Sequence, residues 1–425
     1  TVVTPMYEWK TIPWQQVERS VFKLQKRIYR ASVRGDVHTV HRLQKLLIKS
    51  WSAKCLAVRR VSQDNRGKKT DGVDGVKSIT PKQRMAMARE LDLITKAKPV
   101  RRMWIPKPGK QEKRPLGIPT MRDRAAQALA KQALEAQWEA KFEPNSYGFR
   151  PGRCTHDAIE QIHKAICRKP KYVLDADICK CFDRINHHAL LAKLCVPRIM
   201  KHSIKGWLKA GIMEGHTLYP SEQGTPQGGV ISPLLMNIAL HGLETTIINA
   251  FPKFKWQNWP YRWRPQVIRY ADDLVILHHD LQALEQAKAI AAGFLKDLGL
   301  EFKAEKTRTA HTLNKVNDVA GFNFLGFYVR QYPGQCKQGF KSLVKPSKEG
   351  IGRHLAKIRE ILRTNKHVSQ EELIGKLNPV INGWANYYQT VTSSKTFGKL
   401  DYLLRLNLVR WACRKHPKTG LRKII

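Results

Sequence analysis

The sequence predicts an α+β core, preceded by basic helices and followed by an all-helical module. Three observations carry that prediction. From about Gly75 to Arg330 short apolar strand-like runs alternate with helical patterns. After about Lys345 only helical patterns remain, and the segments on both flanks are enriched in Lys and Arg. The reading divides the chain into residues 1–75, 76–340 and 341–425.

The first element is a pair of amphipathic helices over residues 14–50. Val17, Val21, Leu24 and Ile28 share one face, Gly35 and Asp36 interrupt it, and Val37, Val40, Leu43 and Leu47 resume it. Residues 1–60 hold thirteen basic and three acidic side chains, so this segment reads as an extension that faces a polyanion. The polar, glycine-containing stretch from Ser62 to Gly75 reads as a linker.

In the core, Val267-Ile-Arg-Tyr-Ala-Asp-Asp-Leu-Val-Ile-Leu277 consists of two apolar runs separated by adjacent carboxylates. It predicts a β-hairpin with Asp272 and Asp273 at its tip. Adjacent Asp residues are ordinary turn formers, so the tip gains chemical meaning only from a second acidic strand. Lys171-Tyr-Val-Leu-Asp-Ala-Asp-Ile178 supplies one: alternation puts Tyr172, Leu174, Ala176 and Ile178 on one face and Asp175 with Asp177 on the other. Two such strands side by side make a pocket of carboxylates that suits Mg²⁺, which prefers oxygen ligands and a substrate's phosphates. The matching chemistry is phosphoryl transfer with a pair of ions roughly 4 Å apart. Spacing alone leaves Asp175 and Asp177 as alternatives. Between the acidic strands, Gly224-Thr-Pro-Gln-Gly-Gly229 lets backbone approach a ligand before an apolar helical run from Val230 to Leu243.

In the last module Ser369 and Glu372 form a capping box before Leu373, Leu377 and Ile381. Leu400, Leu404, Leu408 and Trp411 form a later stripe, and Pro379 is expected to end or kink the middle helix. Residues 341–425 carry eighteen basic and five acidic side chains. Over the whole chain 76 Lys and Arg stand against 34 Asp and Glu, a net +42, which points to nucleic acid ahead of a membrane surface. The eight cysteines include no C-x-x-C pair and read as reduced thiols. No apolar run spans a bilayer and no signal-peptide pattern opens the chain, so a soluble, reducing compartment is expected, bacterial cytoplasm before an organelle. The chain starts at Thr1 rather than Met, which leaves room for a processed leader or a removed tag.

Six blocks together resemble the group II intron-encoded reverse transcriptases, the maturases. Arg114-Pro-Leu-Gly-Ile-Pro119, Tyr147-Gly-Phe-Arg-Pro-Gly152, Asp177-Ile-Cys-Lys-Cys-Phe-Asp183, Gly224-Thr-Pro-Gln-Gly-Gly229, Tyr270-Ala-Asp-Asp273 and Phe324-Leu-Gly326 stand in that family's order, and the likeness covers about residues 60–410. It implies a right-hand polymerase with fingers, a palm carrying an antiparallel sheet, and a helical thumb (maturase X). It also settles the first acid, because the family places an aromatic residue five positions after it and Phe182 stands so relative to Asp177. The implied triad, catalytic and metal-binding, is Asp177, Asp272 and Asp273 with a pair of Mg²⁺ ions. Asp175 and Asp183 remain supporting acids.

By the same resemblance Phe182 lies beneath the incoming sugar and disfavours a 2′-hydroxyl. Lys107 and Arg114 grip the triphosphate, with Lys110 and Lys113 able to stand in. Gln227 and Gly228 meet the sugar or nascent base pair, Tyr270 lines the substrate site, and Lys306 protonates departing pyrophosphate. Leu377-Asn-Pro-Val-Ile-Asn-Gly-Trp-Ala-Asn-Tyr-Tyr388 looks like the thumb signature, with Trp384, Tyr387 and Tyr388 expected to hold the helices together. The implied reaction extends a DNA primer on an RNA template with dNTPs. The implied partners are a group II intron RNA, whose splicing it assists, and a target DNA. The alternatives are a reverse transcriptase serving defence or diversification, an RNA-dependent RNA polymerase, and a non-catalytic RNA-binding splicing factor. No Cys/His cluster for a metal-dependent endonuclease occurs in these residues.

Overall fold

A computed structural model describes residues 8–106, 112–251, 254–256, 259–261, 264–316, 319–335 and 337–417. The fold is α+β. The chain opens with α1 (Trp14–Val33), α2 (Val37–Lys49) and α3 (Trp51–Arg59). The break foreseen between the first two is built as the sequence suggests: Gly35 takes a φ of 73°, and the Asp36 carboxylate caps α2 by accepting from the Thr39 amide. Val17, Val21, Ile28, Val40, Leu43 and Leu47 are buried, while Val37, at the first turn, stays exposed. These helices share one apolar cluster with the largely buried, alanine-rich α4 defined below. Gln44 donates to Gln137 and Ser32 to the Gln137 carbonyl, so the seam between them carries polar ties as well.

Next come β1 (Val100–Pro106) and β2 (Lys113–Ile118), then α4 (Met121–Trp138) and α5 (Thr155–Ile166), followed by β3 (Tyr172–Asp177). A small hairpin, β4 (Ile212–Glu214) and β5 (Thr217–Tyr219), precedes α6 (Ser232–Leu240). The foreseen acidic hairpin is β6 (Gln266–Tyr270) and β7 (Asp273–His278), after which α7 (Leu281–Asp297) leads to β8 (Arg308–His311). One sheet has the order β2-β1-β4-β5, parallel only between β1 and β4. The central sheet is antiparallel, in the order β8-β3-β7-β6.

That sheet is covered on both faces. Leu174 and Ala176 pack beneath α7, as alternation predicts, but Val173 on the acidic face is also fully buried, against Val275, Leu277 and α5. The carboxylate side is therefore closed at Val173 and partly open at Asp175 and Asp177, toward the strand's end.

A third sheet, β9 (Phe322–Phe324), β10 (Phe327–Pro333) and β11 (Phe340–Pro346), leads into three helices: α8 (Lys348–Thr364), α9 (Gln370–Tyr388) and α10 (Ser394–Lys415). Ser369 caps α9 by accepting from the Glu372 amide, but the expected box does not close, since the Glu372 carboxylate accepts from Lys376 instead. Pro379 does not end that helix, which continues to Tyr388. The position explains the tolerance: Pro379 and Gly375, whose carbonyl loses its donor, are both solvent-exposed, so water can satisfy that oxygen. Ile358, Leu362, Leu373 and Leu377 form the bundle's own core, with Leu404, Leu408 and Trp411 packed on it. Among the described residues the seven cysteines are free, and no helix is long and apolar enough to cross a membrane.

Candidate active site

The acids meet because of register. Asp177, last in β3, is paired with Asp273, first in β7, and Asp273 is paired across the hairpin with Tyr270. This leaves Ala271 and Asp272 as a two-residue turn, with Ala271 at φ 58°, a conformation rare for a residue with a side chain. The turn is held from two sides. The Ile178 amide donates to the Asp272 carbonyl at 3.2 Å, and Gly148 approaches so closely that a Cβ there would stand 2.3 Å from the Ala271 nitrogen.

Beneath the turn lies a side chain the sequence reading passed over. Arg269 is buried, and its guanidinium donates to the Ala271 carbonyl (3.1 Å), to Asn237 Oδ1 (3.1 Å) and to Ser146 Oγ (2.7 Å). Asn237 in turn donates to the Gly148 carbonyl at 2.7 Å. Arg150 folds the same loop by donating to the Glu143 and Ser146 carbonyls and forking onto Glu139. The signal was an arginine inside an apolar strand, which burial permits only with acceptors on hand.

The carboxylates repel one another. Asp273 is pushed up to about 7, first by burial, then by Asp272 and Asp177, with the Lys306 ammonium opposing. Burial also raises Asp272, and takes Asp175 to about 6 against the pull of Arg308. Lys306 donates to Asp177 Oδ2, and that bond raises its own pKa above the usual lysine value. It is brought there because the Lys303 amide donates to the Asp177 carbonyl at 2.8 Å. Asp175 faces Arg308 in the register, away from the hairpin tip.

Among the described residues no three His, Cys, Asp or Glu side chains stand as a ready metal cluster. The donor chemistry nonetheless fits a divalent cation. The acids are hard oxygen ligands on two paired strands, and their mutual repulsion is relieved by positive charge, a part Lys306 plays at Asp177.

The glycine-rich loop joins this site to the first sheet. Gly224 and Thr225 donate to the Ile185 and Phe182 carbonyls, and the Gly117 amide in β2 donates to the Gln227 carbonyl at 2.6 Å. Added Cβ atoms would lie 2.5 Å from the Asp183 oxygen at Gly224 and 2.8 Å from the Gly117 oxygen at Gly228, and both glycines have positive φ. His187, also unforeseen, stands 2.6 Å from the Gly224 carbonyl through Nε2. Gln227 is thereby half-buried and Gly228 exposed on a loop clamped at both ends.

Phe182 is half-buried and meets the exposed Phe149 edge-on, centroids 6.4 Å apart. Tyr270 is half-buried beside the turn. Arg114 lies exposed on β2 opposite Ile105, and its charge opposes the raised pKa of Asp272. Lys107 and Lys110 lie outside the described residues. Asp183 is raised by burial, with Arg102 of β1 opposing.

The comparisons with known proteins agree with one another. The family profile described as reverse transcriptase (RNA-dependent DNA polymerase) matches residues 105–329. An N-terminal domain of reverse transcriptase matches 9–91, and a group II intron, maturase-specific domain matches 351–425. Protein YkfC of Escherichia coli K12 is 31% identical over 376 residues, 79% of this chain and 95% of that one. Group II intron-encoded protein LtrA of Lactococcus lactis is 37% identical over 190 residues, 44% of this chain but 31% of that protein. Maturase-like protein 1 of Euglena gracilis is 26% identical over 395 residues, covering 88% and 76%.

Proposed function

The chain belongs to the group II intron-encoded reverse transcriptases, RNA-directed DNA polymerases with a maturase domain, and on that premise we propose how its residues divide the work. The observation that carries the proposal is the register pairing of Asp177 with Asp273, one residue from Asp272.

Residues 76–340 act as fingers and palm, 341–425 as a thumb, and 1–75 as a basic extension. Asp177, Asp272 and Asp273 hold a pair of Mg²⁺ ions. When bound, these ions supply charge that favours the attacking 3′-oxygen and the leaving pyrophosphate. The chain's own groups do the rest. Arg114, with Lys107, neutralises the triphosphate, for which a guanidinium fork suits paired oxygens. The clamped loop offers Gln227 and the bare backbone of Gly228 to the sugar and base pair, and Tyr270 closes the same pocket. Phe182, braced by Phe149, fills the space a 2′-hydroxyl would need. Lys306, an ammonium already at Asp177, supplies a proton to pyrophosphate. The basic flanks read the shape and phosphates of the intron RNA, since A-form major grooves exclude side chains. The same protein thereby assists splicing and copies the intron from a primer in target DNA.

Primer extension on an RNA template, with dNTPs or rNTPs supplied separately and Asp272→Asn as control, tests the reading. Synthesis with dNTPs that the substitution abolishes is expected. A folded parent that binds RNA yet extends nothing would remove the catalytic assignment.

A further inference from the structure

The C-terminal helices carry a second anion-seeking site that the catalytic reading leaves unused. Between the far ends of α8 and α10 lies a cavity of about 760 Å³. Arg359, Arg363 and Lys366 line one side, and Arg410, Arg414 and Lys415 the other. Among the described residues neither these four arginines nor Lys366 pairs with a carboxylate. The neighbouring acids are engaged by other lysines, Glu360 by Lys357 and Glu372 by Lys376. Six like charges around one concavity call for a polyanion.

The shape narrows the choice. A regular duplex presents its phosphates on a convex surface and can touch such a rim without filling the space behind it. A nucleotide turned out of a folded RNA can enter, with its flanking phosphates against the rim. The floor is prepared for it. Trp411 is fixed by its indole N–H, which donates to the Asn365 carbonyl at 2.9 Å, while Lys415, whose ammonium stands 5.1 Å from the ring centroid, donates to the Val368 carbonyl. Asn407 adds a half-buried amide that can meet a base edge.

The place separates it from the chemistry. α10 begins near the third sheet, where Phe397 packs on the cluster around Phe327 and Tyr388. The cavity lies toward the other end of this 22-residue helix, where Asn407 to Lys415 stand about 15–27 Å along the axis from Phe397 at 1.5 Å per residue.

We propose that this cavity binds a single nucleotide extruded from a folded RNA, and that the primer–template duplex does not occupy it. The inference rests on the reading that the chain acts on RNA, but not on its polymerase activity. The test compares two hairpin RNAs of equal length, one fully paired and one with a single bulged nucleotide, titrated over a range of salt. The proteins are the parent and the double variant Arg363→Gln/Arg410→Gln.

The parent should prefer the bulged hairpin roughly tenfold, as stacking of one base allows. The double variant should lose that preference and flatten its log–log salt slope by about 1.4, while extending a short unbulged primer–template at the parent's rate. Equal weakening on both hairpins together with slower extension would overturn the proposal and make the cavity part of the duplex track. So would a parent that ignores the bulge, or a double variant that binds as the parent does. A parent that prefers the bulge but extends no primer would instead overturn the catalytic reading and leave this one standing.

Discussion

Replacing Arg269 should damage the polymerase twice over, once in stability and once in catalysis. Its guanidinium is buried, burial lowers its pKa only to about 10, and it therefore stays charged at neutral pH. Arg269→Met removes three side-chain donations and leaves the Asn237, Ala271 and Ser146 oxygens without that donor. It also deprives Glu143 of a nearby positive charge. Breaking a buried charged partnership of this kind costs about 3–5 kcal/mol. Arg269→Lys keeps the charge but cannot reach three acceptors at once, so roughly half of that loss is expected. The catalytic part follows from the Ala271 carbonyl, one residue before Asp272. A turn released by about 1 Å loses on the order of 10²-fold in rate. Thermal melting and steady-state primer extension separate the two effects, with kcat expected to fall in both variants while the KM for dNTP changes little. Gly148→Ala provides an independent push on the same turn, because its Cβ would meet the Ala271 nitrogen at 2.3 Å. Folded variants at both positions that retain the parent's kcat would refute the reasoning.

Glu244 is raised to about 7, chiefly by burial, with the Asn145 amide at 2.6 Å opposing. Because its folded pKa lies above its unfolded one, the stability it contributes is full below about pH 4.5 and is lost as pH rises through 7. Glu244→Gln should therefore melt with the parent at pH 4 and be more stable at pH 8 by up to about 3 kcal/mol, and an identical difference at both pH values would sink the assignment. Phe182→Val should raise the rNTP-to-dNTP ratio of kcat/KM by about tenfold or more, as loss of a steric block predicts, whereas an unchanged ratio would make Phe182 simple packing. Gly224→Ala places a Cβ 2.5 Å from the Asp183 carbonyl at a φ of 81°, with strain of about 1–3 kcal/mol. The clamped loop should shift and the KM for dNTP rise, and a folded variant with parental KM would show that the loop does not meet the nucleotide.

How much of this was legible depends on the range of each signal. The hairpin at Val267–Leu277 was readable because an alternating run, a two-residue turn and a second run lie within eleven residues. The pairing of Asp177 with Asp273 crosses almost a hundred residues, and strand pattern alone says neither that the two strands are neighbours nor in what register. The family resemblance supplied what the pattern could not. Alternation sets Val173 on the face of Asp175 and Asp177 but says nothing of what covers it, and here α5 does. Arg269 and Asn237 were passed over because their value lies in partners brought from residues 146–148, invisible along the chain. Of the two outcomes foreseen at Pro379, an end to the helix did not follow, since a propensity rule carries no information about whether the orphaned carbonyl can reach water.

The aromatic signature at the end of α9 shows why a motif's text and its mechanical duty can differ. Helical spacing suggested that Trp384, Tyr387 and Tyr388 bind the helices to one another, and Trp384 does stack on His354 of α8, centroids 4.8 Å apart. The two tyrosines do more: Tyr388 lies against Gly350 of α8, where an added Cβ would stand 2.9 Å from its hydroxyl, and both reach the third sheet. Their hydroxyls donate at 2.9 Å to the carbonyls of Leu325 and Gly326, the left-handed turn between β9 and β10, and the Tyr387 carbonyl meets His156 Nε2 at 2.7 Å on α5. Burial raises the Tyr387 phenol, and Tyr270 close by adds to that rise, so the signature reaches the neighbour of the acidic turn. A phenol anchored at its hydroxyl resists both sliding and rotation, which an apolar ring in the same place would permit. The maturase-specific helices are thus fastened to the third sheet at two backbone carbonyls of the turn between β9 and β10.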